Sequence, residues 1–171
     1  MRIRVVHAFL TALAFTSLHP CGSIAATQPA HMPELTRWIG TWHGPGSNSG
    51  VTADLTLQFE RVLGGRFVRL SLSNQVGPPA TRQLFEGLAL YWPAADGQLR
   101  GSWFDSQGTV YALDVQVFDT TLVAIWRDNE KPRGRSSYRL IQPDELEVID
   151  SVRAPDGSGR ECARYRLTRG P

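Results

Sequence analysis

From residue 51 onward, apolar and polar side chains alternate. Val51, Ala53, Leu55, Leu57 and Phe59 are interleaved with Thr52, Asp54, Thr56, Gln58 and Glu60. This period of two marks a strand with one buried face and one wet face. Leu63-Gly64-Gly65-Arg66 supplies a tight turn that tolerates positive φ, and Phe67 to Asn74 is the return strand. Strands over Gln83–Trp92, Leu99–Asp105, Thr109–Phe118, Thr121–Arg127, Ser136–Ile141, Leu146–Val152 and Arg160–Leu167 follow, separated by Gly-, Pro-, Asp- and Asn-bearing turns. Asp128 to Gly134 reads as a charged loop. With an opening strand near Trp42, the chain carries about ten strands at the spacing of an all-β sandwich or barrel. The only helical signal is one short turn over Pro33–Trp38.

Nearly every connection is a short hairpin loop, so successive strands are neighbours in a meander. A long meander leaves two exposed edges unless it closes. The expected fold is therefore all-β: a single antiparallel up-and-down barrel of about ten strands. A barrel of that size has room inside for a small ligand.

The N-terminus has a different pattern. Arg2 and Arg4 precede an apolar run from Val5 to Leu18, and Ser23-Ile24-Ala25 places small residues at a cleavage site. This is the pattern of a secretory signal peptide, and it implies a periplasmic or secreted protein. The apolar run is short for a membrane span and is followed by Pro20 and Gly22. The expected division is a signal peptide over residues 1–25, a flexible leader over 26–34 and a barrel domain over 35–169.

Charge and cysteine content change with that division. The whole chain has Lys+Arg 18 against Asp+Glu 16. Loss of Arg2 and Arg4 leaves the mature chain balanced, which removes electrostatic support for nucleic-acid binding. Cys21 leaves with the signal, so Cys162 has no partner for an internal disulfide.

The candidate chemistry is sparse. His31 and His43 are the only mature histidines, too few for a zinc site. Ser102, Ser106 and Ser137 lie in no nucleophile elbow. Glu86, Asp105 and Asp114 are strand carboxylates that would act as acid and base if two met in one cavity, and would be inert on the wet face. Arg69, Glu86, Asp105 and Arg164 are polar positions on otherwise apolar strands and are candidates to reach the interior. Tyr91, Trp103 and Tyr111 fall on the central hairpins, where a cavity wall would lie, and combine apolar area with a polar handle.

Leu35-Thr36-Arg37-Trp38-Ile39-Gly40-Thr41-Trp42 resembles the N-terminal Gly-x-Trp signature of the calycin superfamily, and Gly40-Thr41-Trp42-His43-Gly44-Pro45-Gly46 resembles the start of nitrobindin-type barrels. Val62-Leu63-Gly64-Gly65-Arg66-Phe67, Phe85-Glu86-Gly87-Leu88 and Ser102-Trp103-Phe104-Asp105-Ser106-Gln107-Gly108 are similar to bacterial lipocalin-like domains of unknown function. The resemblance implies a ten-stranded barrel closed at one end by the N-terminal turn. It also implies a latch in which Trp42 packs against a basic side chain of the last strand, Arg164 or Arg166. The helical lid of fatty-acid-binding proteins has no room between Gly44 and Gly50. The late histidine that holds haem in nitrobindin-like proteins is absent, which leaves the phenols of Tyr138 or Tyr165 as alternative axial groups.

The expected function is an exported barrel that binds a small, mostly apolar molecule without catalysis and with no resident cofactor. One alternative is a haem or tetrapyrrole barrel with nitrobindin-like redox or isomerase chemistry. A second is a ligand-free structural or envelope-interaction module.

Overall fold

The computed structural model describes residues 32–171. The expected signal peptide over residues 1–25, with Cys21, lies outside the described residues, as do His31 and the rest of the expected leader before Met32. Ten antiparallel strands form one closed barrel. They are β1 Gly40–Asn48, β2 Val51–Val62, β3 Phe67–Val76, β4 Gln83–Pro93, β5 Leu99–Asp105, β6 Val110–Phe118, β7 Thr121–Asp128, β8 Lys131–Gln142, β9 Glu145–Arg153 and β10 Gly159–Arg169. Each strand pairs with its sequence neighbour, and β1 pairs with β10 to close the wall. The expected meander and closure are both present.

One stretch is more regular than its composition suggests. The charged stretch after Asp128 is not a loop: Asn129 and Glu130 make the turn with positive φ, and β8 begins at Lys131. An exposed outer face accepts charge as readily as a loop does, so charge alone did not distinguish them. The opening strand runs through Gly44-Pro45-Gly46 as expected and continues to Asn48. A short 3₁₀ turn at Pro79–Thr81 joins β3 to β4.

The expected turn at Pro33–Trp38 is a 3₁₀ helix that plugs one end. Met32, Leu35 and Trp38 are buried beneath the strands. The Trp38 indole N–H donates to the Tyr138 carbonyl at 3.2 Å, and the Trp42 indole N–H donates to the Trp38 carbonyl at 2.8 Å. Above them Leu57, Phe59, Leu70, Leu122, Leu146 and Leu167 fill the barrel.

The basic partner of Trp42 is Arg169, not Arg164 or Arg166. Arg169 lies directly opposite Trp42 on the strand pair, with its guanidinium carbon 4.0 Å from the ring centre. The same guanidinium donates to the carbonyls of Ile39 (2.7 Å), Arg37 (2.9 Å) and Pro143 (3.1 Å). One planar fork thus serves a cation–π contact and three carbonyls at the chain entrance. Gly40 permits this approach: its φ is +130°, and an added Cβ would sit 2.8 Å from the Arg169 Nη1. Alternation explains the correction. Ala163, Tyr165 and Leu167 point inward, and Arg169 continues their face, whereas Arg164 and Arg166 face out. Arg164 bonds Glu147 at 2.8 Å and Glu161 at 2.6 Å, and Arg166 pairs with Glu145 at 3.3 Å.

Candidate functional site

The end opposite the plug is not filled by side chains. A cavity of about 200 Å³ lies there. Its apolar walls are Leu72, Phe85, Trp103, Tyr111, Trp126 and Ala163. Asn48, Asp105, Ser136, Tyr138, Asp150 and Cys162 add polar atoms.

Two glycines set the aromatic walls. A Cβ at Gly87 would overlap the outer ring of Trp103, and one at Gly134 would come within 2.7 Å of the Trp126 ring. Each indole therefore lies over a neighbouring strand where no side chain stands. Trp103 stacks near Phe85, with centroids 6.5 Å apart and planes 23° apart. Tyr111 stacks near Trp126 at 6.4 Å and 8°. We expect Gly87→Ala to push Trp103 into the cavity and to destabilise the fold by about 1–3 kcal/mol, the range for overpacking. Urea denaturation and the near-UV spectrum check this.

Hydrogen bonds fix both indoles. Trp103 donates to Asp105 at 3.1 Å, and Trp126 donates to the Ser136 hydroxyl at 3.2 Å. Asp105 also ends β5: its Oδ1 accepts the backbone N–H groups of Gln107 and Thr109, each at 3.0 Å. Partial burial works to raise its pKa, but the bonds from Thr109, Trp103 and Gln107 outweigh it and hold the carboxyl below its ordinary value. Asp105 is therefore a fixed anion at neutral pH.

Asp150 is in the opposite condition. It stands on β9 directly across from Ser136 on β8. Burial pushes its pKa up to about 6, and a hydrogen bond from Ser136 only partly opposes this. Its Oδ1 is buried and has no hydrogen-bond partner. Beneath it, burial raises the phenol pKa of Tyr138, with the nearby Asp150 carboxylate adding to the rise. Burial likewise raises Tyr91, which hydrogen-bonds Tyr138. Cys162 faces the same space, donates to the Asp150 carbonyl at 3.4 Å and is also raised by burial. It does so because β10 bulges between Glu161 and Ala163.

The candidates read from sequence separate into three groups. Trp103, Asp105 and Tyr111 line the cavity. Tyr91 is buried just below it. Arg69 and Glu86 do not reach inside. Arg69 pairs with Glu60 on the outer wall, and Glu86 is exposed between the inward-facing Phe85 and Gly87. Asp114 also faces out, paired with Arg127 and Arg100, so the carboxylates considered as an acid–base pair never meet. We expect Arg69→Gln and Glu86→Gln to leave ligand affinity unchanged and stability within about 0.5 kcal/mol. A titration and a thermal melt of each variant check this.

Asp150, Ser136, Trp126 and Phe85 were missed. One signal identifies the first two: Asp150 shares the face of Leu146 and Val148, and Ser136 shares that of Tyr138 and Leu140. A polar residue on the apolar face of an alternating strand points into the barrel.

The residues do not fit a haem. The cavity is below the roughly 300–1,000 Å³ typical of drug-sized ligand pockets. The phenols of Tyr138 and Tyr165 are both pushed by burial away from the phenolate that an axial bond requires. Tyr165 already receives the Asn74 amide at 2.7 Å.

No protein-family profile matches the chain, and no curated protein matches it in sequence. Among solved structures, the crystal structure of Rv2717c from M. tuberculosis is similar, with a TM-score of 0.56 and 15% identity over 82% of this chain and 99% of that one. A de novo designed fluorescence-activating β-barrel is similar with a TM-score of 0.42 and 16% identity over 77% of this chain and 93% of that one. At 15% identity, the likeness to Rv2717c shows the barrel fold alone. Among the described residues, no helix is long and apolar enough to cross a membrane.

Proposed function

We propose that the chain is an exported, calycin-like barrel that binds a small, mostly apolar molecule at its open end and does not transform it. The observation that carries this reading is the aromatic cavity of about 200 Å³. An apolar cavity of about 150 Å³ suffices to hold benzene, so the space suits one ring with a short substituent. Binding sites are mostly apolar with a few placed polar groups, and the walls here have that character. Export to the periplasm or the medium rests on Arg2, Arg4, the apolar run after them and Ser23-Ile24-Ala25. Glu86 and Asp114 lie away from Asp105, so the carboxylate pairs read from the sequence are not assembled.

Thermal shift with indole tests this reading. A ligand that binds only the folded state raises stability by RT ln(1 + [L]/Kd), or about 2.7 kcal/mol at a hundredfold excess over Kd. We expect the melting temperature to rise saturably for the wild type and to stay fixed for Gly87→Ala, whose Trp103 occupies the space. No rise in the wild type, or indole recovered chemically altered, contradicts the proposal.

A further inference from the structure

Resting on the binding reading above, we infer that the ligand is a protonated amine: its ammonium group is received by the Asp150 carboxylate and its apolar body lies among Trp103, Tyr111, Trp126 and Phe85. Three observations converge on this chemistry.

The first is the charge of the lining. Asp105 and Asp150 face the cavity, and among the described residues no arginine or lysine lines it. Five arginines are engaged elsewhere. Arg69, Arg139, Arg164 and Arg166 make outer-wall ion pairs, and Arg169 closes the base. Within the cavity lining a carboxylate ligand would meet two like charges and no counter-charge.

The second is the unpaired acceptor. Asp150 Oδ1 is buried and has no hydrogen-bond partner among the described residues. A buried polar atom without a partner is uncommon and calls for one. Among the described residues, its polar neighbours have other hydrogen-bond partners. Ser136 accepts the Trp126 N–H and has a single hydroxyl proton to offer Asp150 or Tyr138. Tyr138 and Tyr91 bond each other, and Cys162 is directed at the Asp150 carbonyl. The oxygen is open to a donor from a ligand, and a charged donor is the strongest match for a carboxylate.

The third is the wall chemistry. Indole and phenol faces attract ammonium groups through the ring quadrupole, most strongly where water is excluded. Four rings surround this cavity in two stacked pairs. Arg153 and Arg160 stand exposed at the mouth, from the ends of β9 and β10. Both charges oppose the approach of a cation from solution, so its preference comes from contact inside the cavity.

The test is calorimetric titration of the full chain at pH 7.5 with three probes of similar size: 2-phenylethylamine, 2-phenylethanol and 3-phenylpropionate. A hydrogen bond to a charged group supports a preference of roughly tenfold to a hundredfold. We expect the amine to bind that much more tightly than the alcohol, and the carboxylate to bind weakest. In Asp150→Asn the preference for the amine over the alcohol should disappear. Equal affinity for amine and alcohol, or an amine preference that survives in Asp150→Asn, overturns the inference and leaves the binding barrel standing. Binding of none of the three overturns both.

Discussion

Replacing Trp42 with alanine is expected to cost about 4 kcal/mol of folding stability, the middle of the range for truncating a fully buried aromatic. Trp42 has no exposed surface. The change deletes its packing, its N–H bond to the Trp38 carbonyl and the face on which Arg169 rests. Arg169 would then keep only its carbonyl partners. The loss falls on the seam where β1 meets β10, the one closure that links the first and last strands. Urea denaturation gives the number. Arg169→Lys is a milder version: an ammonium keeps the charge but not the fork that reaches Ile39, Arg37 and Pro143 together, and we expect about 1–2 kcal/mol. A cost for Trp42→Ala below about 1 kcal/mol contradicts the latch.

The second large effect has the opposite sign. Asp150→Asn is expected to stabilise the empty protein at pH 8 by up to about 3 kcal/mol, and so to raise its melting temperature by roughly 10 °C. The cause is the upward shift of the Asp150 carboxyl from 3.8 to about 6. Below about pH 4 the carboxyl is protonated in both the folded and the unfolded chain, and nothing is lost. Between about pH 4 and pH 6 the unfolded chain has released its proton while the folded chain retains it. Stability therefore falls as pH rises through that window, and the full cost persists above pH 6. Tyr91, Tyr138, Tyr165 and Cys162 surround Asp150 and are all raised by burial, so none of them loses a proton in that window. Asparagine has the shape of the neutral acid and never ionises. Melts of wild type and variant at pH 4 and pH 8 should agree at the lower pH and diverge at the higher. A variant less stable than wild type at pH 8 contradicts the assignment. A residue that costs stability in the empty protein and gains a partner on binding is a common compromise at functional sites.

How much of this was legible beforehand depends on parity. The alternation of Val51 to Phe59 and the short turns were enough for a closed meander, because hairpins leave neighbours no other arrangement. Trp42 was legible as a latch through its resemblance to a known opening motif. Its partner was not, because Arg164, Arg166 and Arg169 are alike in type and differ only in face. Counting by two from Tyr165 and Leu167 reaches Arg169 and passes over the other two. The same count keeps Asp105 with Trp103, adds Asp150 to Leu146 and Val148, and removes Arg69 and Glu86. The β10 bulge that turns Cys162 toward the cavity was beyond this reading, since one extra residue breaks the count without marking the sequence. The seating of Trp103 over Gly87 and Trp126 over Gly134 depends on strand register, which a single chain's alternation leaves open.

The most direct test of the central claim, a ligand cavity at the open end above a packed base, uses the tryptophans as reporters. In a ¹⁵N-labelled sample titrated with 2-phenylethylamine, the indole N–H signals of Trp103 and Trp126 should move saturably together. Those of Trp38 and Trp42, bonded inside the plug at 3.2 and 2.8 Å, should not move. Static Trp103 and Trp126 signals, or equal movement of all four, would contradict the account.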